Sequence, residues 1–160
     1  MTNFKIIVQY DGSRYQGWQR LGNTDNTIQG KIESVLSKMC GHNVEIHGAG
    51  RTDAGVHAMA QVAHFKINTD KTANQIKEYL NTYLPQDIGI MSCEVMPERF
   101  HARLNAKSKH YSYRLWDSKN KNIFERKYVT SIEKAFLSLD RQDTGITMPP
   151  QGLILQEVFY

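Results

Sequence analysis

The apolar positions change period several times along the chain, and each change marks an element. Phe4 to Tyr10 (FKIIVQY) is rich in β-branched and aromatic residues and stops at Asp11-Gly12, the pattern of a strand running into a turn. From Thr27 the period becomes helical. Ile28, Ile32, Val35, Leu36 and Met39 recur on one stripe, Thr27 is placed to cap the start, and Gly41 ends the run. Val44 to Gly48 alternates as a short strand. Gln61 to Ile67 sends Val62, His64 and Lys66 to one face and Ala63, Phe65 and Ile67 to the other. A second helix is predicted from about Thr72 to Leu84, with Ile76, Leu80 and either Leu84 or Tyr83 inward and Pro85 as its stop. Ile88 to Val95 and Lys107 to Trp116 read as further strands, the latter with Tyr111, Tyr113 and Leu115 on one face.

Between these elements lie two informative connections. Asp11 to Asn26 is a long polar loop holding Tyr15, Gly17, Trp18 and Arg20, and loops of that length usually carry function. Ala49 to Ala58 is the other. The order β-α-β-β-α-β-β predicts an α+β fold, an antiparallel sheet with helices packed on one face. The tail differs in kind: residues 130–141 pattern as a short helix with Ile132, Ala135, Phe136 and Leu139 inward, Asp143 to Gln151 as an irregular connection, and Gly152 to Tyr160 as a closing strand. It holds too little apolar surface for a core of its own.

At 160 residues the chain has the length of one domain and enough material for a core without staples. Its two cysteines, Cys40 and Cys93, are not a disulfide framework, and a reducing compartment fits them better. No apolar run approaches the ~20 residues a bilayer requires, and the first residues lack the apolar core of a secretory signal. The expected location is the cytoplasm, with no membrane partner. The net charge of +4 conceals an asymmetry: Arg99 to Lys127 carries nine Lys or Arg against Asp117 and Glu125. Such a block beside Tyr111, Tyr113 and Trp116 suits a polyanion, nucleic acid first among them, although a lysine-rich solvated surface has the same composition.

The densest chemistry is the run Gly48-Ala-Gly-Arg51-Thr-Asp53-Ala-Gly55-Val-His57-Ala. Its three glycines permit tight turns and close backbone approach to a ligand. Arg51 and Asp53 are two apart, so in extended chain they leave the same face. A carboxylate held ionised beside a guanidinium is what a nucleophile or general base requires; an ion pair that merely fixes a turn would look the same. The histidines at 42, 47, 57, 64, 101 and 110 never form a tight ligand set with Cys or carboxylates, so no metal is expected. There is no nucleophile elbow, Walker loop or Gly-x-Gly-x-x-Gly, so no nucleotide cofactor is expected either.

Taken in order, Tyr10-Asp-Gly-Ser-Arg-Tyr15-Gln-Gly-Trp18-Gln-Arg20, Thr27-Ile-Gln-Gly, Gly50-Arg-Thr-Asp53-Ala-Gly-Val-His57-Ala, Phe100-His-Ala-Arg103 and Lys109-His-Tyr111-Ser-Tyr113 resemble the tRNA pseudouridine synthases of the TruA family. The tail Asp140-Arg141 to Gly152-Leu153 resembles that family's C-terminal end. The resemblance implies a pseudouridine synthase-like fold. It also implies isomerisation of uridine to pseudouridine at positions 38, 39 and 40 of the tRNA anticodon stem-loop, without a cofactor, by a homodimer. It places the family's catalytic aspartate on Asp53, whose carboxylate attacks the uridine at the sugar or at the base, with Arg51 as the arginine that pairs with it and helps displace the target nucleotide. Tyr111 falls on the tyrosine that stacks on the flipped uracil, and Leu153 on an apolar residue that packs against the site. Arg14, Arg20, Arg103, Lys107 and Lys109 are expected contacts to phosphate or unstacked bases. Packing is the expectation for Trp18, and a satisfied structural role for His57 and His101.

The chain departs from the family in one respect. Members have a second, related half that completes the cleft, and here residues 1–129 resemble the first half while 130–160 resemble only the final helix and strand of the second. The family's Phe-x-x-x-Met-Val-Arg type motif, whose arginine pairs with the catalytic aspartate, is absent from these residues. A cleft with one wall admits water and weakens every electrostatic contact in it. The implied function is therefore a tRNA pseudouridine synthase, or an RNA-binding remnant of one without catalysis.

Overall fold

The computed structural model describes residues 1–133 and 148–160. Strand β1 (Thr2–Tyr10) lies between β3 (His57–Ile67) and β4 (Ile88–Met96), antiparallel to both. Its alternation is the one expected: Phe4, Ile6, Val8 and Tyr10 are buried. The register sets Phe4 opposite Phe65 and Ile6 opposite Ala63, so the inward face of β3 continues that of β1.

Helix α1 (Ile28–Cys40) and helix α2 (Ala73–Tyr83) bring their stripes, Ile28, Ile32, Val35, Leu36 and Ile76, Leu80, into one buried cluster with that face. Both helices start where a threonine accepts an orphan amide. Thr27 Oγ1 takes the Gly30 N–H at 3.2 Å, and Thr72 forms a reciprocal capping box with Gln75. Gly41, at φ 72°, closes α1. Beyond α2 it is Leu84 that is buried, whereas Tyr83 is exposed. The opposite face of the sheet carries the Lys5–Glu94 ion pair and, across from Lys5, His64.

Three boundaries differ from the sequence pattern, each because of a partner distant along the chain. Strand β2 is only His47–Gly48, since side chains of α1 take the backbone groups a longer ladder would use. Ser37 accepts the Val44 N–H, Glu33 accepts the Ile46 N–H, and Gln29 donates to the Ile46 carbonyl. Strand β3 begins at His57 instead of Gln61 because β8 (Leu153–Phe159) pairs with His57 and Ala58 there. The strand expected over Lys107–Trp116 divides into β5 (Ser108–Tyr113) and β6 (Leu115–Trp116). At the break, the Arg114 N–H donates to the Gly152 carbonyl, and the Arg114 carbonyl accepts from Thr130 N–H.

The main sheet has the order β4-β1-β3-β8-β5, with β2 on the other end of β3. The β3–β8 pair is parallel, so the sheet is mixed. Strand β8 returns to β3 after a long excursion of the chain, which frees it from the hairpin constraint that enforces antiparallel pairing. Residues Thr130–Ser131, expected to open a helix, form β7 instead and pair parallel with β6. Ile132 and Glu133 are helical as expected, and the rest of that expected helix with the start of the irregular connection, residues 134–147, lies outside the described residues. Pro150–Gly152 form a short 3-10 turn into β8. Among the described residues no helix is long and apolar enough to cross a membrane.

Candidate active site and basic cleft

The loop between β2 and β3 is fastened at alternate residues. Gly50 is held through its carbonyl, which accepts from Gln61 Nε2 at 3.0 Å. Thr52 is held twice: its hydroxyl shares a 2.8 Å hydrogen bond with Tyr10, and its carbonyl accepts the Trp18 N–H at 2.9 Å. Asp53 carbonyl then accepts the Val56 N–H at 3.1 Å, closing a turn in which Gly55 sits at φ 80°. Because an extended chain sends successive side chains to opposite sides, burying Thr52 turns Arg51 and Asp53 outward, and both are exposed. Gly17, at φ 92°, is where the Asp11–Asn26 loop meets this one: a Cβ there would lie 2.6 Å from the Thr52 carbonyl oxygen.

Arg51 lines a cleft of about 460 Å³ together with Arg103, Lys109, His47, His101 and Trp18. Three cations thus reach one concavity from the Arg51 loop, the segment after β4, and β5. Trp18 is buried, with its indole against the backbone of Gly48, in agreement with a packing role. The ion pairs among the described residues are Lys5–Glu94, Arg14–Asp87 and Arg20–Glu33, and Asp11 Oδ1 lies 3.1 Å from His57 Nδ1; Arg51 faces the cleft and is not paired with Asp53.

Tyr111 is 40% exposed on β5, directly opposite Leu155, and burial of its ring pushes its hydroxyl's pKa up. It lies within electrostatic reach of Tyr10, the residue that holds Thr52. Leu153 opens β8 opposite Tyr113 and is half-buried. Arg14 and Arg20 stand apart from the cleft. Arg14 donates Nε and Nη2 to Asp87 Oδ2 at 2.9 and 2.5 Å, and Arg20 donates Nη1 to the buried Glu33 at 3.1 Å. Lys107 contributes its backbone N–H to the Phe159 carbonyl.

His57 is buried and satisfied: Nδ1 accepts the Gly12 N–H at 3.1 Å and Nε2 bonds the Lys127 carbonyl at 3.0 Å. His101 Nδ1 accepts the amides of Arg103 and Leu104 and so shapes the turn presenting Arg103. The rings of His47, His64 and His101 cluster at 4.4–5.7 Å between centroids. Even so, among the described residues no group of three His, Cys, Asp or Glu is arranged to hold a metal ion. Sequence patterning passed over Tyr10 and Gln61. The usable signal was Gln61 itself, an amide on the face that Ala63, Phe65 and Ile67 make apolar.

Residues 6–105 match the family described as tRNA pseudouridine synthase. A protein of Bacillus sp. (strain KSM-64) named tRNA pseudouridine synthase A is 56% identical over 134 residues, 84% of this chain and 55% of its own length. The tRNA pseudouridine synthase A 2 of Bacillus cereus (strain ZK / E33L) is 54% identical over the same coverage, and the tRNA pseudouridine synthase A 1 of Clostridium tetani is 49% identical over 129 residues. The chain spans about half the length of these curated relatives. With 100 of its 160 residues matched by the family and more than half of the aligned residues identical in the Bacillus relatives, the chain belongs to the tRNA pseudouridine synthase family.

Proposed function

We propose that the chain isomerises uridine to pseudouridine in the anticodon stem-loop of tRNA, in the cytoplasm, with Asp53 as the nucleophile. The observation that carries this reading is the alternation at residues 50–53, which presents Asp53 and Arg51 to solvent beside a cleft lined by further cations. The Asp53 carboxylate bonds to the uridine, at the sugar or at the base, as the bond from the sugar C1′ to N1 opens, and that bond is broken again, freeing the carboxylate, as the bond from C1′ to C5 is completed. The proton on C5 is lost and one is gained at N1. Atoms and electrons balance within the nucleotide, so no cofactor is called for.

Each residue has a defined task in this scheme. A stacked base hides the atoms to be attacked, so the target nucleotide is flipped out, and Arg51 takes the position it vacates. Tyr111 stacks on the flipped base and offsets part of the lost stacking, typically ~1–3 kcal/mol per base. Leu153 packs against the site. Arg103 and Lys109 hold phosphate in the cleft, and Arg14 and Arg20 meet the RNA away from it while bound to their carboxylates. Residues 1–129 form the half that carries the aspartate, residues 130–160 correspond to the end of the second half, and a second copy of the chain supplies the opposing wall.

The half-length match to the relatives favours a second reading, an RNA-binding protein without turnover. One experiment separates the two. Incubation with unmodified tRNA yields pseudouridine under the first reading, and Asp53→Asn abolishes the product while tRNA affinity stays within a factor of two. No product from the wild-type chain at high concentration, with salt-sensitive tRNA binding retained, establishes the second.

A further inference from the structure

Two buried polar side chains beneath the Arg51–Asp53 loop take no part in the scheme above. Tyr10 ends β1 at 4% exposure, and Gln61 lies on the inward face of β3 at 0%. A buried hydroxyl and a buried amide carry a desolvation cost unless their hydrogen bonds are made, and a core of this kind ordinarily uses apolar residues at such positions. Here the Tyr10 hydroxyl and the Gln61 amide nitrogen spend their bonds on one short segment, while Gln61 Oε1 accepts the Val62 N–H at 3.2 Å within β3. Gln61 Nε2 donates to the Gly50 carbonyl at 3.0 Å, and the Tyr10 hydroxyl meets Thr52 Oγ1 at 2.8 Å with the Gln61 amide adjacent. The two anchored residues flank Arg51, and Thr52 immediately precedes Asp53.

We propose that Tyr10 and Gln61 are positioning residues that set which way Arg51 and Asp53 face, by fastening the backbone of Gly50 and the side chain of Thr52 to the sheet. This rests on the reading of Asp53 as the reacting group. The argument is one of periodicity: with residues 50 and 52 tied inward, residues 51 and 53 have only the outward side left. If both ties are cut, the loop keeps, among the described residues, the hydrogen bond from the Trp18 amide to the Thr52 carbonyl and the turn closed by the Val56 amide on the Asp53 carbonyl. Burial raises the pKa of the Tyr10 hydroxyl far above the ordinary phenol value, so it stays protonated and acts by hydrogen bonding rather than by proton transfer. Tyr111, on β5, lies within electrostatic reach of the same hydroxyl.

The test uses Tyr10→Phe and Gln61→Leu, with Tyr160→Phe as a control. Tyr160 also donates its hydroxyl to a backbone carbonyl, that of Ala102 at 2.8 Å, but it does not touch the loop. Amide hydrogen exchange over residues 50–56 is expected to accelerate roughly tenfold in Tyr10→Phe and in Gln61→Leu, while strands β1 and β4 keep their protection. Tyr160→Phe leaves the loop's exchange unchanged. Pseudouridine formation by Tyr10→Phe then falls about tenfold in kcat with tRNA affinity preserved, a split that loss of global stability does not produce. Unchanged loop exchange in both variants, or acceleration spread evenly over the whole chain, overturns the positioning role. Absence of turnover in the wild-type chain is a failure of the proposed function instead, and the exchange measurement still decides the anchor.

Discussion

Lys109 rests against Gly50: a methyl group at position 50 would lie 2.7 Å from the lysine Nζ and 3.2 Å from its Cε. The bare α-carbon of Gly50 thus makes the room in which the amine reaches the cleft. Gly50→Ala is expected to shift Lys109 without harming the fold. The obstruction is the flexible end of a side chain, and position 50 is not among the glycines in the left-handed region. Stability should change by less than about 1 kcal/mol, because the entropy lost by the unfolded chain compensates for slight crowding. Affinity for tRNA should fall a few-fold. Equal binding by the variant and the wild type would show that the Lys109 amine does not contact the RNA.

The three cleft cations and the two paired arginines predict different salt responses. A cation that neutralises a phosphate releases a counterion, contributing about −0.7 to −0.9 to the slope of log affinity against log salt. Arg103→Ala and Lys109→Ala should each flatten the slope for tRNA by roughly that amount. Arg14 and Arg20 already have carboxylate partners, Asp87 and Glu33, so their alanine variants should flatten it less. Titrations at several salt concentrations check this. Identical slopes for Arg14→Ala and Arg103→Ala would remove the distinction between paired and unpaired cations.

The elements that were legible in the sequence are those whose causes are local. A threonine cap, an apolar stripe and a closing glycine specify α1 within its own residues, and Thr72 with Gln75 does so for α2. The Arg51–Asp53 loop was legible for the same reason, since its glycines and its alternation lie together. What patterning missed depends on distant partners. Side chains of α1 shorten β2, the returning β8 lengthens β3 and makes the sheet mixed, and Arg14 finds Asp87 across 73 positions. Tyr10 and Gln61 belong to this class too. Their role depends on the β1–β3 register, which places both beneath the loop.

Tyr113 joins the two parts of the chain on either side of residue 129. Its hydroxyl donates to the Pro149 carbonyl at 2.6 Å and shares a 2.9 Å hydrogen bond with Thr130. Pro149 leads directly into the turn before β8, so the phenol helps seat that strand between β3 and β5. Tyr113→Phe is expected to cost about 1–2 kcal/mol by leaving partly buried acceptors unpaired. The loss should appear as faster hydrogen exchange in Leu153–Phe159 and a lower thermal midpoint. Unaltered exchange in that strand would mean that its pairing with β3 and β5 suffices without the phenol.

His64 makes the stability of the fold depend on pH. It is buried, its Nδ1 accepts the Ala102 N–H at 3.1 Å, and the His47 and His101 rings lie 5.2 and 4.4 Å away. Burial foremost, and then the two neighbouring imidazoles, bring its pKa down to about 4 from the ordinary 6.5. The neutral ring is the one that fits. Above pH 6.5 the folded and unfolded chains are both neutral at this residue and nothing is lost. Below it the unfolded chain takes up a proton that the folded chain refuses, so stability falls with pH until about pH 4, where the folded ring protonates as well. The loss is expected to be on the order of 2 kcal/mol between pH 7 and pH 4.5. His64→Asn retains an acceptor for the Ala102 amide and cannot titrate, so its urea midpoint should decline less over that interval. Titrating groups remote from position 64 contribute equally to both proteins, which leaves the difference between the two curves as the measure of His64 together with its coupling to His47 and His101. Parallel curves for the variant and the wild type would show that His64 is protonated as readily in the folded chain as in the unfolded one.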